Sequence, residues 1–326
     1  MGPKILDGFI PQSSIYAIKA RNTADVVAGV NFAREHNLRL VVKGGAHSYS
    51  GTSNAPDSLL IWTRGMNKVD LHDAFIEAGS IGSGAMWIDV YNTVTTIGGR
   101  YVQGGGCATV GVAGFIQAGG FGLFSKKFGT GAANLLEAEV VAADGRILIV
   151  NKYNYSDLFW AIKGGGGPTF GIVTRITLCT YDLTKFFGLS VGVVMAKTDE
   201  AFKRLITQFI EFYSNSLFNP DWGNEINVGA DNTLSISLAC CDLGSDEINT
   251  VWKPFLEWVN EAPNNLIWKK PFQVTSFDPR FFWDIKHNPM IKSDSRPGVP
   301  SYHGWFSENQ NECGFHIVHY GYHKNF

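Results

Sequence analysis

The sequence predicts an α+β protein in two domains, residues 1–184 and 185–326, and three observations carry that prediction. In the first half, short helical and strand-forming runs alternate around three glycine-rich turns. From about residue 185 glycine thins out and long amphipathic segments follow in the order helix, hairpin, helix, the pattern of an antiparallel sheet with helices on one face. The 326-residue chain, 45% hydrophobic and 17% charged, is also long and apolar enough for two cores.

The elements follow in order. Thr23 is expected to cap a helix with Asp25 in its first turn and Val26, Val30 and Ala33 on one face, ending at His36-Asn37. Leu38 to Val42 reads as a buried strand that leads into Lys43-Gly44-Gly45-Ala46-His47-Ser48-Tyr49-Ser50-Gly51, a turn whose amides could cradle a pyrophosphate. His47 there is open to three readings: nucleophile, proton shuttle or hydrogen-bonded turn residue. Trp87, Val90, Tyr91, Val94 and Ile97 have helical spacing, with Gly98-Gly99 as the stop. A strand over 100–103 then delivers the chain to its most glycine-dense stretch, Gly104-Gly105-Gly106-Cys107-Ala108-Thr109-Val110-Gly111-Val112-Ala113-Gly114, followed by Gly119-Gly120-Phe121-Gly122. Such a stretch suits either a bed for a flat or anionic ligand or a set of tight turns in a β-rich core.

Residues 135–142 and 146–150 form a hairpin through Asp144-Gly145. Ser156 is expected to cap a short helix over 157–163, which ends in Gly164-Gly165-Gly166-Gly167 before the strand Phe170-Gly171-Ile172-Val173-Thr174-Arg175-Ile176. In the second half, residues 186–195 read as a strand, and Thr198 caps a helix with Phe202, Leu205, Ile206, Phe209 and Tyr213 on one face. Residues 225–228 and 233–239 flank the turn Asp231-Asn232. Ser245 starts a helix with Val251, Trp252, Phe255 and Val259 on one face and Pro254 inside it. From Leu266 onward no period is legible.

A formal charge of −2 lacks the electrostatic footprint of a nucleic-acid or anionic-membrane binder, so a small-molecule partner is expected. The five cysteines are odd in number and lack zinc or Cys-x-x-Cys spacing. His316, His319 and His323 have no acidic partner in register, so no metal is expected. The N-terminus lacks the apolar core of a signal peptide and no run reaches transmembrane length. The compartment stays open, and the sequon Asn154-Tyr155-Ser156 does not decide it. No cluster fits the nicotinamide Gly-x-Gly-x-x-Gly setting or a P-loop. Gly188-Leu189-Ser190-Val191-Gly192 matches a nucleophile elbow in letters, but it reads as continuous strand, against a serine hydrolase.

With these motifs in place, the chain resembles the berberine bridge enzyme-like group of the vanillyl-alcohol oxidase superfamily, FAD-linked oxidoreductases whose PCMH-type FAD-binding domain is built of two small α/β subdomains. The resemblance covers about residues 15 to 260. It rests on Lys43 to Gly51, the stretch around Cys107, and Gly164 to Thr174, in that order. It implies FAD joined twice to the protein, through the imidazole of His47 at the flavin's 8α-methyl group and through the sulfur of Cys107. The implied cofactor contacts are Lys43, Gly44, Gly45, Ala46, Ser48, Tyr49, Thr109, Val110, Gly111, Gly114, Gly119, Gly122, Gly171, Ile172 and Val173. The two nucleophiles are expected to straddle the ring from opposite edges.

The implied reaction is oxidation of an alcohol, sugar or related small molecule by hydride transfer, with O2 regenerating the flavin; Val110 stands where the group sets oxygen access. Ala46 replaces a frequent glycine, at an expected small cost, and Phe115 replaces a frequent flavin-contacting histidine. The resemblance further implies a shortened flavin domain between Phe75 and Gly82, an absent N-terminal portion, and a chain ending inside the substrate domain before the segment that supplies the catalytic base. Poor stability, impaired turnover, or survival as a flavin- or ligand-binding remnant is the corresponding alternative.

Overall fold

The structure, a computed structural model, describes residues 13–48, 51–72, 78–167 and 169–306. They form two compact units: residues 13–121, 130–181 and 283–306 in the first, Gly122–Gly129 and Asp182–Phe282 in the second.

In chain order the elements begin with β1 (Tyr16–Lys19), α1 (Thr23–Glu35), β2 (Arg39–Lys43), β3 (Ser58–Trp62), β4 (Val69–His72), β5 (Ala78–Gly82), α2 (Trp87–Val90), β6 (Arg100–Tyr101), α3 (Val112–Gln117) and α4 (Ser125–Phe128). Then come β7 (Leu135–Val141), β8 (Ile147–Asn151), α5 (Ser156–Ile162), β9 (Ile172–Cys179), β10 (Tyr181–Asp182), β11 (Phe187–Ala196), α6 (Asp199–Phe212), β12 (Trp222–Val228), β13 (Thr233–Cys241), α7 (Ser245–Asn260), β14 (Leu266–Phe277), β15 (Ile291–Ser293) and β16 (Gly304–Phe306).

Two larger sheets build the cores of the first unit, and β15 and β16 form a further short antiparallel pair in it. One of the larger two is three-stranded, β1-β3-β2, and parallel. Val26, Val30 and Ile61 join it to α1 in one core. The other is antiparallel, β4-β5-β9-β7-β8, and packs Ile81, Ala138, Val140, Val173 and Ile176 with Trp87, Val90, Tyr91 and Ile116. Two small α/β layers result, as the resemblance implies. Of the stretch from Phe75 to Gly82, where a strand was expected to be lost, Ala78–Gly82 form β5, paired with β4 and β9, and residues 73–77 lie outside the described residues.

The second unit is an antiparallel sheet, β12-β13-β11-β14. Leu234, Ile236, Leu238 and Cys240 of β13 alternate onto the face covered by α6 and α7, where they meet Leu205, Phe209, Ile248, Trp252 and Phe255. Ser190 is fully buried in mid-strand on β11, which removes the elbow reading. The long edge strand β14 was illegible in sequence because Lys269, Lys270 and Pro271 interrupt its alternation; on an edge these same residues discourage pairing with another chain.

Several expectations shift. Asn22, not Thr23, caps α1 by accepting from Asp25 N–H at 3.0 Å, while Thr23 Oγ1 donates to Glu139 at 2.6 Å. Tyr155, not Ser156, occupies the cap of α5. Beyond α2 the helix widens to π winding over Tyr91–Ile97, and Thr95 is buried while Ile97 is 65% exposed. A wider turn carries the buried stripe past the position that 3.6-residue spacing assigns to it.

The 1–184 and 185–326 division also differs from the two units. The chain enters the second unit at Asp182, but Gly122–Gly129 joins it early, with Lys127 paired to Asp221 at 2.8 Å and Phe124 edge-on to Phe187. Residues 283–306 return to the first unit. There Tyr302 and His303 bond to Asp89.

Pro254 is exposed within an otherwise continuous α7 and cannot donate to the Thr250 carbonyl. Pro254→Ala should raise the stability of the second unit by up to about 3 kcal/mol. Denaturant unfolding reads this as a higher midpoint with an unchanged slope.

Candidate functional site

The three glycine-rich turns meet within the first unit. The turn after β2 lies against the turn before α3: a Cβ on Gly45 would stand 2.5 Å from Gly111 N and 3.1 Å from Thr109 O, so only bare main chain allows the approach. The second turn is strapped to the start of α2. Trp87 N–H donates to Val110 C=O at 3.0 Å, Ile88 N–H to Ala108 C=O at 2.9 Å, and Val112 N–H to Ala85 C=O at 3.0 Å. The third turn docks on the end of α3 through Gly166 N–H to Gln117 C=O at 2.9 Å.

His47 and Cys107 converge at this meeting point. His47 Nε2 shares a hydrogen bond of 2.9 Å with Thr109 Oγ1, and Cys107 Sγ lies 3.6 Å from the same oxygen. One hydroxyl therefore bridges the two nucleophiles. They lie too close to flank a tricyclic ring from opposite edges, the arrangement the resemblance was read to imply.

Burial lowers the His47 pKa to about 4, against a smaller opposing effect of its hydrogen bond to the Thr109 backbone. The imidazole is neutral at pH 7, with a lone pair for bond formation. Because the folded value lies below the ordinary 6.5, the unfolded chain binds the extra proton between about 4 and 6.5. Stability contributed by this group is full above that window and falls with pH through it. The denaturant midpoint of the first unit should accordingly fall as pH drops from about 6.5 to about 4, and His47→Ala should flatten that fall.

Residues 15–151 match the FAD binding domain family. The FAD-linked oxidoreductase easE of Arthroderma benhamiae is 41% identical over 307 residues, covering 87% of this chain and 59% of that protein. Over most of its length the chain is similar to FAD-linked oxidoreductases. A VAO-type flavoprotein of Myceliophthora thermophila superposes with a TM-score of 0.73 at 26% identity, over 90% of this chain and 52% of that one. The glucooligosaccharide oxidase of Acremonium strictum, described as carrying 6-S-cysteinyl, 8α-N1-histidyl FAD, shares the fold with a TM-score of 0.68 at 22% identity, over 81% of this chain and 54% of that one. The chain thus spans little more than half the length of these relatives.

The flavin-family site fits what the residues offer. A Cβ at Gly106, Gly114 or Gly119 would meet nothing within 4 Å, so open space lies over bare backbone beside Cys107 and α3. Behind it the floor is aromatic: Phe115 meets Trp87 edge-on at 5.1 Å and lies 2.8 Å from where a Gly105 Cβ would stand. Phe115 thus replaces the expected histidine with an apolar wedge under the glycines. Tyr91 O–H donates to Gly105 C=O at 2.6 Å, and its pKa is raised well above 10 by burial and by the nearby Cys107.

The remaining predicted residues spread more widely. Lys43 ends β2, its Nζ 3.4 Å from Asn54 Oδ1, and burial lowers its pKa. Ser48 Oγ closes its own turn, 2.7 Å from Thr52 Oγ1. Val110 packs on the core of the first unit, and Gly111 caps α3. Ile172 and Val173 bury their side chains in two cores, and a Cβ on Gly171 would stand 2.7 Å from Val140, which gives this segment a packing role. Gly122 belongs to the second unit, where its N–H donates to Ser125 Oγ at 2.9 Å. Tyr49, like His316, His319 and His323, lies outside the described residues.

Ala46 has φ of 63°, in the left-handed region. The methyl group that looked inexpensive in sequence therefore carries backbone strain, about 1–2 kcal/mol. Ala46→Gly should stabilise the first unit by about 0.5–1 kcal/mol after the entropy of the freer unfolded chain is deducted, measurable as a shift in denaturant midpoint. Tyr91 and Trp87 were legible only as a core stripe, and nothing in their spacing marked the contact with the glycine turn.

Proposed function

We propose that this protein holds FAD through both His47 and Cys107 and oxidises a small-molecule substrate at a CH–OH or similar group, with O2 as the final electron acceptor. The observation that carries the reading is the shared contact of His47 and Cys107 with Thr109 Oγ1 on two turns whose main chains touch. FAD, when bound, supplies the hydride acceptor. The chain's own residues hold and orient it. His47 and Cys107 would hold the cofactor, and the Thr109 hydroxyl, in contact with His47 Nε2 and Cys107 Sγ, would orient both. The bare faces of Gly106, Gly114 and Gly119 admit a flat ring, and Phe115 and Trp87 brace those glycines from behind.

The sugar-oxidase neighbour and the CH–OH chemistry of the resemblance make oligosaccharides and primary alcohols the first substrates to test. Val110, small and packed against the core, is the residue assigned to oxygen access. The experiment is anaerobic mixing of the purified, flavin-loaded chain with a panel of these compounds, followed by admission of air. Bleaching of the flavin by one of them and recovery in air is the expected result. A yellow protein bleached by none would instead favour a flavin-binding protein without turnover.

A further inference from the structure

Asp89 lies on α2, behind the turn that carries Cys107, and is 2% exposed. Its Oδ2 accepts from Met86 N–H at 2.8 Å and from Arg64 Nη1 at 3.0 Å. Its Oδ1 accepts from Tyr302 O–H at 3.0 Å and from His303 Nε2 at 2.8 Å. Arg64 in turn donates to Gly84 C=O at 2.6 Å. The donors thus come from three separate stretches of the first unit. The helix start they hold is the one whose next two amides, Trp87 and Ile88, grip the carbonyls of Val110 and Ala108.

We propose that Asp89 is a positioning residue for flavin attachment: with Arg64, Tyr302 and His303 as its donors, it fixes the Trp87 and Ile88 amides that hold the turn bearing Cys107 and Thr109. The proposal rests on the flavin reading of Cys107 and deepens it. A buried carboxylate is tolerated only when donors saturate it, and here each oxygen has two. Burial would raise the Asp89 pKa, but the His303 hydrogen bond and the Arg64 charge outweigh it and hold the value down. Loss of one donor leaves a lone pair of a buried anion unsatisfied, and the nearest element able to relax is the short α2 with its attached turn.

Asp89→Asn removes a buried charge opposite Arg64 and threatens folding, so the test uses His303. In the full chain before flavin is added, the rate of Cys107 alkylation by iodoacetamide is measured against Cys179 of the same molecule. Amide exchange at Trp87 and Ile88 is followed in parallel. His303→Leu should speed Cys107 alkylation about tenfold and raise exchange at both amides while Cys179 keeps its rate. His303→Gln retains an N–H donor and should stay within about twofold of the parent. Equal acceleration of both thiols, or unchanged Cys107 reactivity in His303→Leu, would overturn the proposal. Because flavin is absent from these measurements, failure of the parent protein to retain flavin would count against the proposed function alone.

Discussion

Gly45→Ala should yield a protein that takes up little or no flavin. The added methyl carbon would stand 2.5 Å from Gly111 N, 3.0 Å from Gly111 Cα and 3.1 Å from Thr109 O. All three are main-chain atoms, so no rotamer change relieves the contact, and the two turns must part. Overpacking of this kind costs about 1–3 kcal/mol, a fall of roughly 2–4 °C in melting temperature per kcal/mol for a unit of this size. The effect on the site is larger than the effect on stability, because parting the turns separates His47 from Thr109 and so from Cys107. Gly106→Ala is the control: its methyl group meets nothing within 4 Å, so the fold should keep its melting temperature while flavin uptake falls. Equal uptake by parent and Gly106→Ala would show that this face is not the bed.

The second large effect concerns the nucleophiles themselves. His47→Ala and Cys107→Ala should each leave a flavin that survives acid precipitation, since one bond remains in either variant. The double variant should release essentially all of it. Both side chains are half-buried and neither anchors a hydrophobic core, so folding should survive. Thr109→Val tests the bridge: it keeps the shape and removes the shared oxygen, and should slow attachment at both sites together.

Much of this was legible in sequence, and the reason differs from place to place. Thr198, the Asp144-Gly145 hairpin and the stripe Leu205, Phe209, Trp252 and Phe255 are local signals, fixed by capping, turn conformation and period, and the structure places them as expected. Gly45 and Gly111 announced themselves as glycine without saying what they approached, because a close approach between turns depends on both partners. The π turn after α2 was hidden because residue spacing presumes 3.6 residues per turn. Asp89 was invisible for another reason: its partners His303 and Arg64 lie far away in the chain, and no local pattern predicts a buried carboxylate with four donors. The return of residues 283–306 to the first unit was missed with it.

The central claim is that His47 and Cys107 bond to one flavin. The most direct measurement is mass spectrometry of a proteolytic digest of the loaded, acid-denatured protein. The account predicts a single flavin cross-linking the peptide that contains His47 to the peptide that contains Cys107. Recovery of both peptides unmodified, with all flavin in the acid supernatant, would contradict it.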